Sequence, residues 1–210
     1  MDAKHSMILI LKLLKNLISI IIILNIIHNY YIKMEAIVAI DLHNGISKIG
    51  TIPWTSKKDM THFYKKTNGN VVLMGRNTYF SIPEERRPLK NRLNIVLTSN
   101  PQLYQDISNS NVIFTDEHSI YLDFLQNQEK CRDAFPFLHE NFKVFVIGGK
   151  QIYEKLIPLC HTIWLTQIKK DYNCDLFLKN VYNFNNKMMV TEIDNDDELI
   201  IYKYEKYDLI

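Results

Sequence analysis

Apolar residues in this chain fall into short continuous runs of strand length instead of alternating with polar ones. Glu35 to Asp41, Val71 to Met74, Asn91 to Thr98, Lys143 to Ile147 and His161 to Ile168 read as strands buried on both faces, as in a parallel sheet. Ile113-Phe114 reads as a shorter strand, Glu117 to Gln126 as a helix, Asn127 to Asp133 as a polar surface insertion, and Asn100-Pro101 as a turn. The end reads as two antiparallel strands around Asp194-Asn195-Asp196-Asp197, an acidic loop tip, with Tyr202, Tyr204 and Tyr207 as strand packing. The pattern is an α/β sheet closed by a hairpin.

Two runs end in glycine and pass into a helical pattern. Val71 to Met74 is followed by Gly75, Arg76, Asn77 and Thr78, and Val144 to Ile147 by Gly148, Gly149, Lys150, Gln151, Ile152 and Tyr153. Glycine lets backbone approach a ligand closely, and the next amides point along a helix start, so each junction can hold a phosphate. Either alone is also an ordinary strand-to-helix turn. Together, on one carboxyl edge, they can grip opposite parts of a long ligand such as a dinucleotide. The full G-x-G-x-x-G fingerprint is absent, which disfavours an ordinary Rossmann domain.

A third feature precedes both. After the first strand comes a loop with Gly45, Gly50 and Pro53-Trp54, then a helix that Thr55 or Ser56 can cap. Its pattern sets Asp59 beside Met60 and Phe63, so this acid is either a solvated first-turn partner of the helix dipole or a buried functional carboxylate.

Composition narrows the classes. Twenty-five basic and 23 acidic residues nearly balance, and no basic stripe with interleaved aromatics points to nucleic acid. Cys131, Cys160 and Cys174 are odd in number and lack C-x-x-C spacing, which fits free thiols in a reducing compartment. Seven scattered histidines form no ligand pattern, so no metal site is expected.

From about Met34 onward the chain resembles dihydrofolate reductase of the longer-looped, eukaryotic kind. The resemblance is carried by Ile37-Val38-Ala39, Gly45-Ile46 through Ile52-Pro53-Trp54, Asp59 with Phe63, Met74-Gly75-Arg76 with Thr78, and Phe80-Ser81-Ile82-Pro83-Glu84. It continues through Arg87-Pro88-Leu89-Lys90, Arg92, Ile147-Gly148-Gly149 with Tyr153, and Leu165-Thr166. It implies a three-layer sandwich: a mostly parallel central sheet with an antiparallel C-terminal hairpin and helices on both faces. It also implies NADPH-dependent reduction of 7,8-dihydrofolate to tetrahydrofolate, with dihydrofolate as the small-molecule partner, in a monomer. Asp59, Thr166 and Trp54 would form the catalytic group. Ile37 and Ile147 would offer carbonyls to the pterin, Met60, Phe63, Ile82 and Leu89 would wall it, and Arg92 would take the substrate α-carboxylate. Ala39, Ile46 and Ile52 would lie by the nicotinamide, the last two in a mobile lid from Gly45 to Ile52. The two glycine junctions would bind the remainder of the cofactor, and Thr98 and Ser99 with Arg76 its 2′-phosphate. Two places depart from the common pattern: Tyr79 replaces the usual tryptophan, and Cys174 to Lys179 lacks a threonine and proline. The alternatives are a pyrimidine reductase of the same fold, or an idle NADPH-binding module tethered to a membrane.

The first 33 residues match nothing in the family. Leu17 to Ile32 carries no charge, between Lys12 and Lys15 before it and Lys33 after. It reads as a dispensable leader ahead of a cytoplasmic domain beginning at Met34, or as a single-pass anchor. No thymidylate-synthase-like segment follows Ile210, so a single-activity chain is expected.

Overall fold

A computed structural model of the protein describes residues 34–108, 111–116, 125, 127–179 and 188–207. The apolar leader and, apart from Leu125, the helix expected over Glu117 to Gln126 lie outside the described residues. In chain order the described elements are β1 (Met34–Ile40), β2 (Gly45–Ser47), α1 (Lys57–Thr67), β3 (Val71–Gly75), α2 (Arg76–Ser81), β4 (Leu93–Leu97), β5 (Val112–Thr115) and α3 (Gln128–Ala134). There follow β6 (Val144–Gly148), α4 (Lys150–Leu156), β7 (Thr162–Ile168), β8 (Leu176–Phe177), β9 (Met188–Asn195) and β10 (Leu199–Lys206).

The main sheet has eight strands in the order β5-β4-β3-β6-β1-β7-β10-β9. Six neighbouring strands, from β5 to β7, run parallel, and the C-terminal hairpin adds β10 antiparallel to β7 and β9 antiparallel to β10. Continuous burial explains the continuous apolar runs: Val71, Val72, Leu73 and Met74 are all essentially inaccessible, as are Val144, Phe145 and Val146. Each such side chain contributes roughly 1.5–3 kcal/mol on burial.

The sheet opens at its centre. β1 pairs with β7 from Glu35 to Ile40, but with β6 only at Met34, Glu35 and Ala36. The cause lies in β6, whose register against β3 shifts from Leu73 opposite Val146 to Met74 opposite Gly148, leaving Ile147 as the extra residue. A bulge bends its strand, and here β1 and β6 part where the chain order reverses, the place an open α/β sheet leaves for a ligand.

Three local expectations change. Asn127 to Asp133, read as a polar insertion, contains helix α3: Asn127 caps it by accepting from the Lys130 N–H, and buried Cys131 anchors its inner face. One apolar residue in seven is too sparse a stripe to signal amphipathicity. The acidic loop tip is tied to α1, because Lys58 pairs with Asp194 at 2.8 Å and Asp196 at 2.6 Å. The Asn100-Pro101 turn continues as a 3₁₀ helix through Tyr104. Tyr204 packs as expected, whereas Tyr207 is exposed beyond the strand. Among the described residues no helix is long and apolar enough to cross a membrane.

Candidate active site

Asp59 is placed by helix chemistry. Ser56 caps α1 and accepts the Asp59 N–H at 3.1 Å, which sets the carboxylate in the first turn. Its side chain turns inward and is 9% exposed. Burial pushes its pKa up; the Thr166 hydroxyl and the Trp54 indole favour the charged form and oppose part of that rise, while Glu198 adds to it. The Trp54 N–H is buried and makes no full hydrogen bond, so its pull on the carboxylate is a weak one. Thr166 reaches the site from β7, opposite Ala39 of β1 and Ile201 of β10. The solvated reading of Asp59 is thereby excluded.

Beside this acid, Phe63, Ile82, Leu89 and Ile147 all pack against one buried cluster that includes Ile37, Met74 and Phe145. These four side chains thus share one partly buried apolar surface. Met60 stands apart from the cluster, 51% exposed, because it lies one position round the helix from Asp59 and Phe63. The Ile37 carbonyl at the opening of the sheet already accepts the Tyr153 hydroxyl at 2.8 Å, leaving one lone pair for a ligand.

Arg92 is 6% exposed although it immediately precedes a strand. Nε donates to the Lys90 carbonyl at 3.0 Å and one terminal nitrogen to Thr67 Oγ1 at 3.0 Å. The guanidinium also lies 5.9 Å from the Phe63 ring and 5.5 Å from Tyr64. Burial lowers its pKa, and among the described residues no carboxylate pairs with it. A buried cation held only by neutral groups is poised for an external anion.

The other half of the site is a cavity of about 680 Å³. Every residue expected to contact the cofactor lines it: Ala39, Ile46, Ile52, Gly75, Arg76, Asn77, Thr78, Thr98, Ser99, Gly148, Gly149, Lys150, Gln151, Ile152 and Tyr153. The two junctions are side by side on paired strands, not at opposite ends of a ligand. A Cβ on Gly149 would sit 3.0 Å from Thr78 Oγ1, and one on Gly75 3.2 Å from Ile152 Cγ1. Gly148 has φ +114°, and a Cβ there would meet the Tyr153 ring at 2.9 Å. Neither α2 nor α4 has a side-chain cap, so their first N–H groups face a cradle that only glycines leave open. That cradle fits the pyrophosphate of a dinucleotide.

Sequence reasoning missed Ser47, Thr51, Ser81, Leu97 and Leu176 of this lining. It also missed Asp41, whose carboxylate accepts N–H groups of His43 at 2.9 Å, Gly45 at 2.8 Å and Tyr172 at 3.2 Å. Burial alone would raise its pKa; those three donors, together with the Cys174 thiol, outweigh burial and lower it. An aspartate ending a strand just before a glycine turn is the signal that was available. Asp41 anchors the expected lid, which is a small hairpin: β2 pairs with β8, and Lys48 and Thr51 exchange backbone hydrogen bonds around Ile49 and Gly50, both at positive φ. Tyr79, at the usual tryptophan position, is buried edge-on to Phe80 and Phe114, each at 5.2 Å.

Comparison with known proteins agrees with this geometry. Residues 33–209 match the family model described as Dihydrofolate reductase. A dihydrofolate reductase of Aedes albopictus is 30% identical over 191 residues, covering 85% of this chain and 98% of that protein. A putative dihydrofolate reductase of Caenorhabditis elegans is 34% identical over 178 residues, covering 80% and 89%. Among solved structures, the dihydrofolate reductase from Enterococcus faecalis complexed with NADP(H) and RAB-propyl superposes with a TM-score of 0.62 at 27% identity, covering 83% of this chain and 96% of that one. The chain belongs to the dihydrofolate reductase family.

Proposed function

We propose that Asp59, supported by Thr166 and Trp54, supplies the proton for the NADPH-dependent reduction of 7,8-dihydrofolate, and that Arg92 and the two glycine junctions hold the ends of substrate and cofactor. The reaction is that of the family: carbon 6 of the pterin gains a hydride, nitrogen 5 gains a proton, and 5,6,7,8-tetrahydrofolate results. NADPH supplies the hydride when bound. The protein has to align two flat rings and keep one acidic group near the developing charge.

The observation that carries this reading is the buried Asp59, the one carboxyl among the described residues whose pKa is raised, beside the place where β1 and β6 part. A raised pKa keeps more of the carboxyl protonated at a given pH than in an exposed aspartate, and in its ionised form the carboxylate accepts the pterin amino group and ring N–H. Thr166 fixes its orientation. Phe63, Ile82 and Leu89 exclude water from the ring faces, and the carbonyls of Ile37 and Ile147 accept from the ring edge. Arg92 binds the substrate α-carboxylate with donors that Lys90 and Thr67 leave unused. In the cavity, Gly75 to Thr78 and Gly148 to Tyr153 cradle the phosphates, while Arg76, Thr98 and Ser99 favour the 2′-phosphate form. An idle module needs no buried acid and a ribityl-pyrimidine needs no buried arginine, so Asp59 and Arg92 favour dihydrofolate reduction over both alternatives.

Single-turnover rates of Asp59→Asn test the assignment. General-acid contributions are about 10²–10⁴-fold, so hydride transfer near neutrality slows by that order while NADPH affinity stays unchanged. Part of the rate returns as pH falls and substrate protonates in solution. A mutant that matches wild type near neutrality makes Asp59 a structural acid and ends the proposal.

A further inference from the structure

We infer that Tyr104 is a positioning residue for the cofactor's 2′-phosphate, holding the Arg76 guanidinium at the Thr98 and Ser99 end of the cavity and so setting the preference for NADPH over NADH. This rests on the reading of Arg76, Thr98 and Ser99 as the 2′-phosphate site.

Arg76 opens α2 and is exposed. A free arginine side chain samples many rotamers, and binding an anion with it costs the entropy of ordering them. Restraint before binding removes part of that cost. Two neutral groups restrain this one: a terminal nitrogen donates to the Tyr104 hydroxyl at 3.3 Å, and the other to Asn77 Oδ1 at 3.4 Å. Among the described residues no carboxylate forms an ion pair with Arg76, so its direction is biased while its charge is left for a ligand.

Tyr104 is itself immobilised. Its ring stacks on Phe114 with centroids 4.7 Å apart and planes at 20°, and leans on Phe80 at 5.6 Å. Phe114 comes from β5 and Phe80 from α2. The phenol oxygen is therefore fixed relative to the helix that carries Arg76. It does not line the cavity and acts from behind the arginine.

The same short segment supplies the rest of the site. Asn100 N–H donates to Thr98 Oγ1 at 3.3 Å, its side-chain nitrogen donates to Ser99 Oγ at 3.1 Å, and the 3₁₀ turn from Pro101 delivers Tyr104. Two hydroxyls and an oriented guanidinium thus converge from one loop and one helix start. A phosphate monoester dianion is the chemistry that such a set takes.

The test uses the full chain and calorimetric titration with NADPH, NADH and adenosine 2′,5′-bisphosphate. Tyr104→Phe keeps the ring stack and removes only the hydroxyl. It weakens NADPH and the bisphosphate by about three- to tenfold and leaves NADH unchanged, in line with loss of one hydrogen bond. Arg76→Leu weakens the same two ligands more strongly, and adding Tyr104→Phe to it has no further effect. If Tyr104→Phe binds all three ligands like wild type while Arg76→Leu does not, the positioning role is overturned and the phosphate site stands. If Arg76→Leu keeps the wild-type preference for NADPH, the phosphate site itself is misassigned. Equal weakening of NADH by Tyr104→Phe shows a general loosening and also overturns the role.

Discussion

The two arms of this site are built differently. The proposed cofactor arm centres on backbone: two strand ends on paired strands, their glycines and the first turns of α2 and α4, with Ala39, Ile46, Ile52, Thr98 and Ser99 completing the lining. The substrate arm is mostly side chains gathered from distant elements, with Asp59 on α1, Arg92 before β4 and Thr166 on β7. Backbone sites tolerate side-chain variation but fail when a Cβ intrudes. Side-chain sites fail when one functional group is removed, and each member is costly to bury before it has its partners.

Removing Arg92 gives the largest expected effect on ligand binding. Arg92→Leu weakens dihydrofolate binding by roughly 10- to 150-fold, the equivalent of one charge-assisted pair of about 1.5–3 kcal/mol, and leaves NADPH binding intact. A pteridine lacking the glutamate tail binds mutant and wild type alike. Equal losses for both pteridines in equilibrium titrations make Arg92 structural, and the substrate arm loses its anchor.

Gly148→Ala probes the other arm. With φ at +114° and Tyr153 Cε2 2.9 Å from the new Cβ, the backbone or the tyrosine ring has to shift. Strain of about 1–1.5 kcal/mol, the lower part of the range for such a backbone, translates to roughly 5- to 10-fold weaker NADPH binding, with a smaller change for dihydrofolate. Fluorescence titration of each ligand alone decides it. A larger loss for dihydrofolate means that Gly148 acts through Tyr153 and the Ile37 carbonyl instead, and the separation of the two arms fails at that point.

The smallest effect is on stability. Burial raises the Asp59 pKa above its ordinary 3.8, so ionising it in the folded protein costs free energy. The penalty is absent below about pH 4 and grows as pH rises through the folded value. Asp59→Asn therefore melts higher than wild type at pH 8, by about 2–4 °C for each kcal/mol relieved, and the advantage disappears near pH 4. A mutant that melts lower at pH 8 shows that Asp59 gains more from Thr166 and Trp54 than burial costs it. His62 has the opposite sign: burial, with Lys66 adding to it, lowers its pKa to about 4, so its contribution is present above pH 6.5 and lost as pH falls toward 4. Comparing the two proteins across the same range must allow for that shared acid limb.

How much was legible follows the same division. Gly75 and Gly148-Gly149 announce themselves because a glycine after a buried run has few structural uses, and their lining neighbours are adjacent in sequence. Asp59 could be placed on a helix but not assigned burial, since its partners Trp54 and Thr166 lie 5 and 107 positions away. Arg92 was legible only through the resemblance, because its support comes from Thr67, Phe63 and Tyr64 on α1. The pairing of β2 with β8 was invisible for the same reason, and of the Asp41 anchor only the local bonds to His43 and Gly45 had a sequence signal.

By itself the sequence determined the strand runs, the two glycine junctions, the capped helix and, through its ordered set of motifs, the family. These depend on period, propensity and local backbone chemistry, which act over a few residues. Only the tertiary structure decided that Ile147 bulges so that β1 and β6 part, that Asp59 is buried with a raised pKa, and that Arg92 is a desolvated cation without a carboxylate partner among the described residues. Desolvation and register belong to elements packed against one another, and no local stretch of chain contains them.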